Sequence, residues 1–365
     1  MALTFATALR RATRMMRPVK LTKASRSIQK AMTEQMVKAA LVPLTAITLK
    51  TRNSAVPRVG RGLGAVLAQM LLPGSSAMGK SVPRTPKGAQ YLTRMHRNAS
   101  GKRGYKLYIP ASPAKGLILM LHGCNQTADD FATGTHMNAL GEKHGLVIAY
   151  PSQTKSHNQA ACWNWFKPGD QTRGGGEPAI LASLARKLAR EFGLKRDAVF
   201  VAGLSAGGAM AAILADVYPD VFSAAGVHSG LARGAAGDVV QAMAAMRNGG
   251  AGAALTTPGS AHLMRRIIFH GDGDSTVHPS NAAQIVMQAL GNTATSTKTS
   301  TRSSRGRGYI RSDFATPDGA VLLELWMLQG AGHAWSGGRK AGSYTDAQGP
   351  DASAQMVRFF LAKSA

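Results

Sequence analysis

Short apolar runs alternate with longer segments of helical periodicity from about residue 89 onward. Two of these runs, Gly116–Leu121 and residues 146–150, contain no charged residue, which is typical of strands that are covered on both faces of a sheet. A helical pattern follows each run, at residues 129–144 and 178–192. This alternation predicts an α/β fold with a mainly parallel, doubly wound sheet.

The same patterns predict the other elements of this region. The remaining predicted strands are residues 90–96, 105–109, 198–202, 221–228, 266–270, 309–314 and 321–328, and the remaining predicted helices are residues 206–217, 281–290 and 352–362. The first two and the last two of these strands are expected to form antiparallel hairpins. The Thr-, Ser- and Arg-rich residues 292–306 are predicted to be a mobile loop, and the Gly/Ala-rich stretch up to about residue 260 carries no predicted element.

The sequence around Ser205 predicts a strand, a sharp turn and a helix in immediate succession. The turn has the form Gly-x-Ser-x-Gly, with Gly203 and Gly207 on either side of the serine. In a nucleophile elbow, this order of elements lifts the serine hydroxyl clear of the sheet, and the glycines remove Cβ atoms from a tight strand–helix crossing. Ser205 is therefore the candidate nucleophile. The alternative is a glycine-rich turn without chemistry, because the chain contains 41 glycines.

A serine nucleophile needs a base within hydrogen-bond reach and an acid that orients the base. His333 is the best candidate base, because it lies on a Gly-flanked loop after the last predicted strand and the chain order Ser, Asp, His is that of α/β-hydrolases. Asp272 and Asp274 both follow strand 266–270, and spacing alone favours neither as the acid. Three other histidines lie near strand ends, but they precede any usable acid or the oxyanion loop: His122, His228 and His270.

An acyl-transfer site also needs donors for the negative charge of the tetrahedral intermediate. The backbone N–H groups of Cys124 and Ala206 are the candidate donors. Ala206 follows the nucleophile, and Cys124 follows Gly123 at the end of a buried strand. All these residues follow predicted strands, so they are expected at the carboxyl edge of the sheet, where open α/β sheets bind ligands.

The few aromatic residues include three tryptophans in or next to the loops of this edge. Trp163, Trp165 and Trp335 are candidate substrate-binding residues, and the alternative is that they pack these loops against the core. The two cysteines, Cys124 and Cys162, are too few for a disulfide framework or a Cys-rich zinc site, and they form either one bridge or two buried thiols. No metal site and no cofactor are predicted.

Charge separates residues 1–88, a basic N-terminal extension and linker, from residues 89–365, the predicted catalytic domain. The whole chain has 44 Lys and Arg against 18 Asp and Glu, and Glu34 is the single acid of the first 100 residues. Such an arm is expected to bind an anionic surface or to act as a solubilising, partly disordered segment with one short helix near residues 63–72. It lacks the interleaved aromatics that stack on bases, so nucleic acid is not the expected partner.

Five motifs resemble those of the poly(3-hydroxybutyrate) depolymerase family of esterases, which also contains feruloyl and acetylxylan esterase relatives. They are Leu-His-Gly-Cys-Asn-Gln at residues 121–126, Cys-Trp-Asn-Trp-Phe at 162–166, Gly-Leu-Ser-Ala-Gly-Gly-Ala-Met at 203–210, His-Gly-Asp-Gly-Asp-Ser-Thr-Val at 270–277 and Gly-His-Ala-Trp at 332–335. The resemblance covers about residues 89–362 and implies an α/β-hydrolase fold and a cofactor-free serine esterase. It places the family's acid on Asp274, its histidine on His333 and its oxyanion-loop cysteine on Cys124, which implies a bridge from Cys124 to Cys162.

The resemblance implies a polyester or oligoester of 3-hydroxyalkanoates as substrate. Feruloyl, acetylxylan or small short-chain esters are the alternative within the class, and a surface-binding protein governed by its basic arm is the alternative from another class. The family implies an extracellular location, and residues 12–32 look like the leader segment of bacterial members. Residues 1–40 form no clear secretory signal, so a cytoplasmic location is the alternative. No run of about 18 apolar residues predicts a transmembrane helix.

Overall fold

The computed structural model describes residues 83–250, 264–291, 293 and 295–362. The basic extension with its predicted helix near residues 63–72 and the leader-like residues 12–32 therefore lie outside the described residues, as does the end of the Gly/Ala-rich stretch. Within the described ranges, no helix combines the length and hydropathy that a membrane crossing requires.

A ten-stranded sheet is the centre of the described fold. Its strands are β1 (Gln90–Asn98), β2 (Gly101–Ile109), β3 (Gly116–Leu121), β4 (Leu146–Pro151), β5 (Val199–Leu204), β6 (Ala224–His228), β7 (Arg265–Gly271), β8 (Ser296–Ser304), β9 (Arg307–Ala315) and β10 (Val321–Leu328). They lie in the order β1-β2-β4-β3-β5-β6-β7-β10-β9-β8. The six strands from β4 to β10 in this order are parallel, and the flanking strands are antiparallel. The predicted mainly parallel sheet is thus confirmed.

Helices cover both faces of this sheet. They are α1 (Ala128–Thr135), α2 (Met137–His144), α3 (Gly176–Glu191), α4 (Ala206–Val217), α5 (Val239–Asn248), α6 (Ser280–Leu290) and α7 (Ala352–Leu361). Along β3, Leu117, Leu119 and Leu121 pack into the core cluster that includes α3 and α4. Ile118 and Met120 pack into the opposite cluster, which includes α1 and α7. The uninterrupted apolar run of β3 therefore reflects burial on both faces.

Two local predictions are wrong. The helix expected at residues 129–144 is divided into α1 and α2 at His136, which has a positive φ of 56° and donates its N–H to the Ala132 carbonyl. The loop expected at residues 292–306 contains β8, which pairs with β9 along its whole length. Its threonines favour extended backbone, and an edge strand exposed to solvent does not need the apolar alternation by which strands are recognised.

A small parallel pair of strands closes the loop region after β10. It consists of β11 (Trp335–Ser336) and β12 (Thr345–Asp346). The segment between them lies against the start of α1, since the Ser343 N–H and hydroxyl both donate to the Asp130 carboxylate. This segment brings the chain back to the carboxyl edge of the sheet.

Candidate active site

Ser205 occupies the single position between the end of β5 and the start of α4. Its backbone has φ 56° and ψ −120°, a strained conformation for a residue with a Cβ. A Cβ added at Gly203 would overlap the Gly207 carbonyl, and one added at Gly207 would overlap the Leu121 carbonyl. The two glycines flanking Ser205 are therefore required sterically, and the turn has the form of a nucleophile elbow.

His333 and Asp274 are joined by a hydrogen bond of 2.7 Å between the histidine Nδ1 and the carboxylate Oδ2. The other carboxylate oxygen of Asp274 accepts the N–H groups of Thr276 and Val277, both at 2.9 Å. These contacts fix the carboxylate on the loop after β7. The imidazole therefore donates from Nδ1, which leaves Nε2 available to accept a proton.

The environment of Asp274 keeps its carboxylate ionised. Burial by itself raises the pKa of this group, but the hydrogen bond and charge of His333 and the Val277 N–H outweigh burial and hold the pKa at about 2. An ionised carboxylate stabilises the imidazolium that forms when His333 takes up a proton.

Asp272, the other candidate acid, has a different role in the structure. Its carboxylate accepts the N–H of Gly330 at 2.6 Å, and its side chain is exposed. It therefore ties the loop after β7 to the turn after β10. The hydrogen bond to His333 belongs to Asp274 alone among the described residues.

Ser205 and His333 line the same cavity, which has a volume of about 720 Å³. Ser205 also lines a second cavity of about 250 Å³ together with Ala206. Within the described part of the chain, no protein group is recorded on Nε2 of His333. The nucleophile candidate and the base candidate thus share one solvent-accessible space.

The other three candidate histidines are buried and form hydrogen bonds within the fold. His122 Nδ1 bonds to the Gly123 carbonyl at 2.8 Å, and its Nε2 accepts the Gln153 N–H at 3.0 Å. Burial lowers the pKa of His122 to about 4 and that of His228 to about 3. Burial also lowers the pKa of His270, whose Nε2 bonds to a backbone carbonyl. All three imidazoles are buried, and burial favours the neutral form of each.

The candidate oxyanion donors lie next to Ser205. Cys124 and Ser205 line both cavities, and Ala206 lines the smaller one. Among the described residues, no acceptor is recorded for the backbone N–H of Cys124 or of Ala206. A Cβ at Gly123 would lie 3.5 Å from the Ser205 Cβ, so the backbone of this loop approaches the nucleophile closely. Both N–H groups are therefore available to a substrate carbonyl oxygen.

Cys124 and Cys162 form a disulfide with their Cα atoms 4.3 Å apart. The bridge joins the loop after β3 to the long loop before α3. Asn125 reinforces the connection, because its N–H donates to the Ala160 carbonyl at 3.1 Å. The candidate oxyanion loop is thus held by covalent and backbone contacts to its neighbour.

The three tryptophans are not equivalent. Trp163 is fully buried and donates its indole N–H to the His122 carbonyl, and Trp335 is almost fully buried and donates to the Ser353 hydroxyl. Neither lines a cavity next to Ser205, so the structure favours the alternative that both pack the loops against the core, and a contact with substrate stays a prediction. Trp165 lines the smaller cavity beside Phe166 and remains the candidate substrate contact.

Sequence reasoning missed two polar groups that support the site. Gln126 accepts the Gly123 N–H at 2.9 Å and donates to Asp130. Glu177 accepts the backbone and side-chain N–H groups of Asn164 and lies 3.4 Å from the Arg103 guanidinium. Gln126 stands in the motif at residues 121–126, whereas nothing in the sequence marks Glu177, which resembles any acid in the first turn of a helix.

Across residues 83–250, 264–291 and 295–362, no group of three or more His, Cys, Asp or Glu side chains is placed to hold an ion. The candidate residues Ser205, His333 and Asp274 are of the types that acyl transfer by a serine requires.

The match to a family model decides the family. The model described as esterase PHB depolymerase matches residues 103–311, more than half of the chain. The chain belongs to this family. The family description names an esterase, and the assignment agrees with the resemblance found at the five motifs.

The curated relatives of this member of the esterase family are named either as depolymerases or as acetylxylan esterases. A poly(3-hydroxyalkanoate) depolymerase C from Paucimonas lemoignei is 32% identical over 231 residues, which cover 60% of this chain and 54% of the relative. A probable acetylxylan esterase A from Aspergillus clavatus is 31% identical over 195 residues, which cover 49% of this chain and 62% of the relative. The chain thus spans about half to three fifths of the length of these relatives.

A solved structure shows the fold. The acetyl xylan esterase from Aspergillus awamori superposes with a TM-score of 0.55 at 22% identity, covering 67% of this chain and 93% of that chain. With the parallel sheet and its flanking helices, this similarity establishes the α/β-hydrolase fold that the sequence predicted.

Proposed function

We propose that this protein is a serine esterase that hydrolyses the ester bonds of poly- or oligo-(3-hydroxyalkanoates). The observation that carries the proposal is the 2.7 Å hydrogen bond between His333 and Asp274, beside a cavity that His333 shares with Ser205. The family assignment and the named depolymerase relative support the same chemistry.

The proposed reaction proceeds in two half-reactions. Ser205 Oγ attacks the ester carbonyl while its proton passes to Nε2 of His333, and the Asp274 carboxylate stabilises the imidazolium. The backbone N–H groups of Cys124 and Ala206 hold the negative oxygen of the tetrahedral intermediate. The carbon–oxygen ester bond then breaks, and the imidazolium gives its proton to the leaving alcohol. The acyl group remains bound to Ser205.

Water completes the cycle by the same groups. The oxygen of a water molecule attacks the carbonyl of the acyl-enzyme while His333 takes a proton from that water. His333 then gives this proton to Ser205 Oγ when the bond between Oγ and the acyl group breaks. The products are one alcohol and one carboxylic acid for each ester bond and each water consumed. This sequence needs no cofactor and no redox partner.

Replacement of Ser205 by Ala tests the proposal directly. The purified variant should lose turnover of a 3-hydroxybutyrate oligomer and of p-nitrophenyl esters by at least about 10³-fold while it keeps its fold, because the covalent step is removed. Ser303→Ala, at an exposed position on β8, is the matched control and should retain full activity. Undiminished hydrolysis by the Ser205→Ala variant would overturn the assignment.

Acetylated plant polysaccharide is the second candidate substrate. Both the curated relatives and the superposed structure include proteins named as acetylxylan esterases. Release of acetate from acetylated xylan at a higher kcat/KM than cleavage of the hydroxybutyrate oligomer would favour this candidate. Methyl ferulate belongs in the same comparison, since a feruloyl ring is the larger acyl group of this class.

We also propose that residues 1–88 form an extension distinct from the catalytic domain at residues 89–365 and bind an anionic surface. The support is their charge, since the first 100 residues hold a single acid. The full-length protein should bind anionic phospholipid vesicles more tightly than neutral ones, and about 0.5 M salt should abolish the difference. Equal binding to both kinds of vesicle would contradict this role.

A further inference from the structure

Ser205 lies where two cavities of different chemical character meet. The smaller cavity, of about 250 Å³, is lined largely by apolar side chains such as Trp165, Phe166 and Leu231, and Lys167 is the one Lys or Arg among its described lining residues. The larger cavity, of about 720 Å³, includes Arg247 and Lys340 in its lining. An ester bound at Ser205 therefore has one space for its acyl part and a different one for its alcohol part.

The position of His333 indicates which part enters which cavity. In the proposed reaction, His333 protonates the departing alcohol, so the alcohol must leave beside this imidazole. His333 lines the larger cavity and not the smaller one. The larger cavity is thus the space of the leaving alcohol, and the smaller, apolar cavity is the space of the acyl chain.

The charges of the larger cavity are of one sign. Arg247 stands in the last turn of α5, and Lys340 lies on the segment between β11 and β12. No acidic side chain lines the cavity. In the described part of the chain, neither cation is recorded in a salt bridge, so both charges are available to an anion in the cavity.

We propose that Arg247 and Lys340 bind a carboxylate carried by the leaving alcohol, so that the preferred substrates are oligoesters of hydroxy acids with a free carboxyl end. This inference rests on the proposed function and names its substrate class more narrowly. When the last ester of a 3-hydroxyalkanoate oligomer is cleaved, the departing alcohol is itself a hydroxy acid. Its carboxylate lies on the alcohol side of the bond, which is the side of the two cations.

The same charges disfavour the other candidate substrates. The alcohol part of an acetylated polysaccharide is a neutral sugar, and that of a methyl ester is methanol. Neither has an anion for Arg247 and Lys340, so these substrates gain nothing from the cations. Exposed ion pairs contribute modestly and are weakened by salt, so the preference is expected to be moderate and dependent on ionic strength.

The test compares the free acid of a 3-hydroxybutyrate trimer with its methyl ester. The quantity is the ratio of their kcat/KM values, measured from the products by chromatography at low salt. The wild-type ratio should be about ten, and it should fall about threefold in Arg247→Gln and in Lys340→Gln and approach one in the double variant. Lys195→Gln removes an equal charge at the opposite end of β5 from Ser205 and should keep the wild-type ratio.

Two further measurements keep the outcomes distinct. Raising the salt to about 0.5 M should reduce the wild-type ratio towards one without any substitution. This measurement tests the carboxylate site even if a variant fails to fold. Ser205-dependent hydrolysis of p-nitrophenyl acetate reports the proposed function alone. If this hydrolysis is present but the acid-to-ester ratio is near one, or is unchanged in the double variant, the carboxylate site is overturned and the esterase remains. If this hydrolysis is absent, the proposed function fails first.

Discussion

Two buried carboxylates, each linked to a histidine, differ in what they do. Asp274 bonds directly to His333, whose other nitrogen faces a cavity. Glu177 reaches His122 through Gln153, which donates its side chain to Glu177 and its backbone N–H to His122. Both nitrogens of His122 are occupied. A nearby carboxylate is therefore not enough to make a histidine a candidate base. One nitrogen of its imidazole must also be free of hydrogen bonds and face a cavity.

The pKa values of the two carboxylates are shifted in opposite directions. Burial raises the pKa of Glu177, and the N–H groups of Asn164 and the Arg103 charge offset this only in part. The hydrogen bond and charge of His333 overcome burial at Asp274 and hold its pKa at about 2. Asp274 is thus suited to the imidazolium of the proposed reaction, whereas Glu177 belongs to a buried polar network.

The largest expected effect is the loss of activity when Asp274 is replaced by Asn. An amide can orient His333 in the wrong tautomer and cannot stabilise the imidazolium, so kcat should fall by about 10⁴-fold. Steady-state kinetics with p-nitrophenyl acetate measure this loss. Asp272→Asn is the matched control and should stay within about twofold of the wild type, because the recorded partner of the Asp272 carboxylate is the Gly330 N–H, which the oxygen of an Asn amide can also accept. Equal losses in both variants would contradict the assignment of the acid.

Replacement of Glu177 by Gln should act on stability first. It leaves the buried Arg103 guanidinium without its counter-charge, so the free energy of unfolding should fall by about 3 kcal/mol. Urea denaturation measures this change. Glu191→Gln, in the exposed pair with Arg94, should cost less than about 1 kcal/mol. A Glu177→Gln variant that is as stable as the wild type but inactive would place Glu177 in the chemistry.

The smallest effect separates the histidines by pH. His122 and His228 are held neutral by burial, with pKa values of about 4 and about 3, whereas an unfolded histidine titrates near about 6.5. Below that pH the unfolded chain binds more protons, so stability should fall as the pH decreases. Each of these histidines should cost about 1 kcal/mol between pH 7 and about 5.5. Unfolding free energies across this range measure the slope, and a flat profile would show that these imidazoles are protonated in the fold.

The sequence predicted those parts of the site that lie in compact motifs. The Gly-x-Ser-x-Gly turn at Ser205 and the order of Asp274 and His333 were recognisable because each follows a strand with a clear apolar pattern. The structure shows the hydrogen bond between Asp274 and His333, and their catalytic roles stay predictions. The central strands were predictable for the same reason, since burial on both faces leaves an uninterrupted apolar run.

The other parts depend on contacts between distant segments. Arg103 and Glu177 are 74 positions apart, and no local pattern relates them. The burial of Trp163 depends on Arg103, which lies over its ring, and on the carbonyl of His122. The strand β8 escaped detection because its polar residues carry no apolar alternation, and pairing with β9 determines its conformation.

Cys124 combines two properties of which side-chain mutagenesis tests only one. Its sulfur forms the bridge to Cys162, whereas its candidate role in the reaction belongs to the main-chain N–H. A library of side-chain replacements at this position would report only on the bridge, because every residue except proline keeps the N–H. Ala206 likewise keeps its backbone N–H in every replacement except proline. An important part of the proposed chemistry therefore depends on backbone N–H groups, which scanning mutagenesis of side chains does not change.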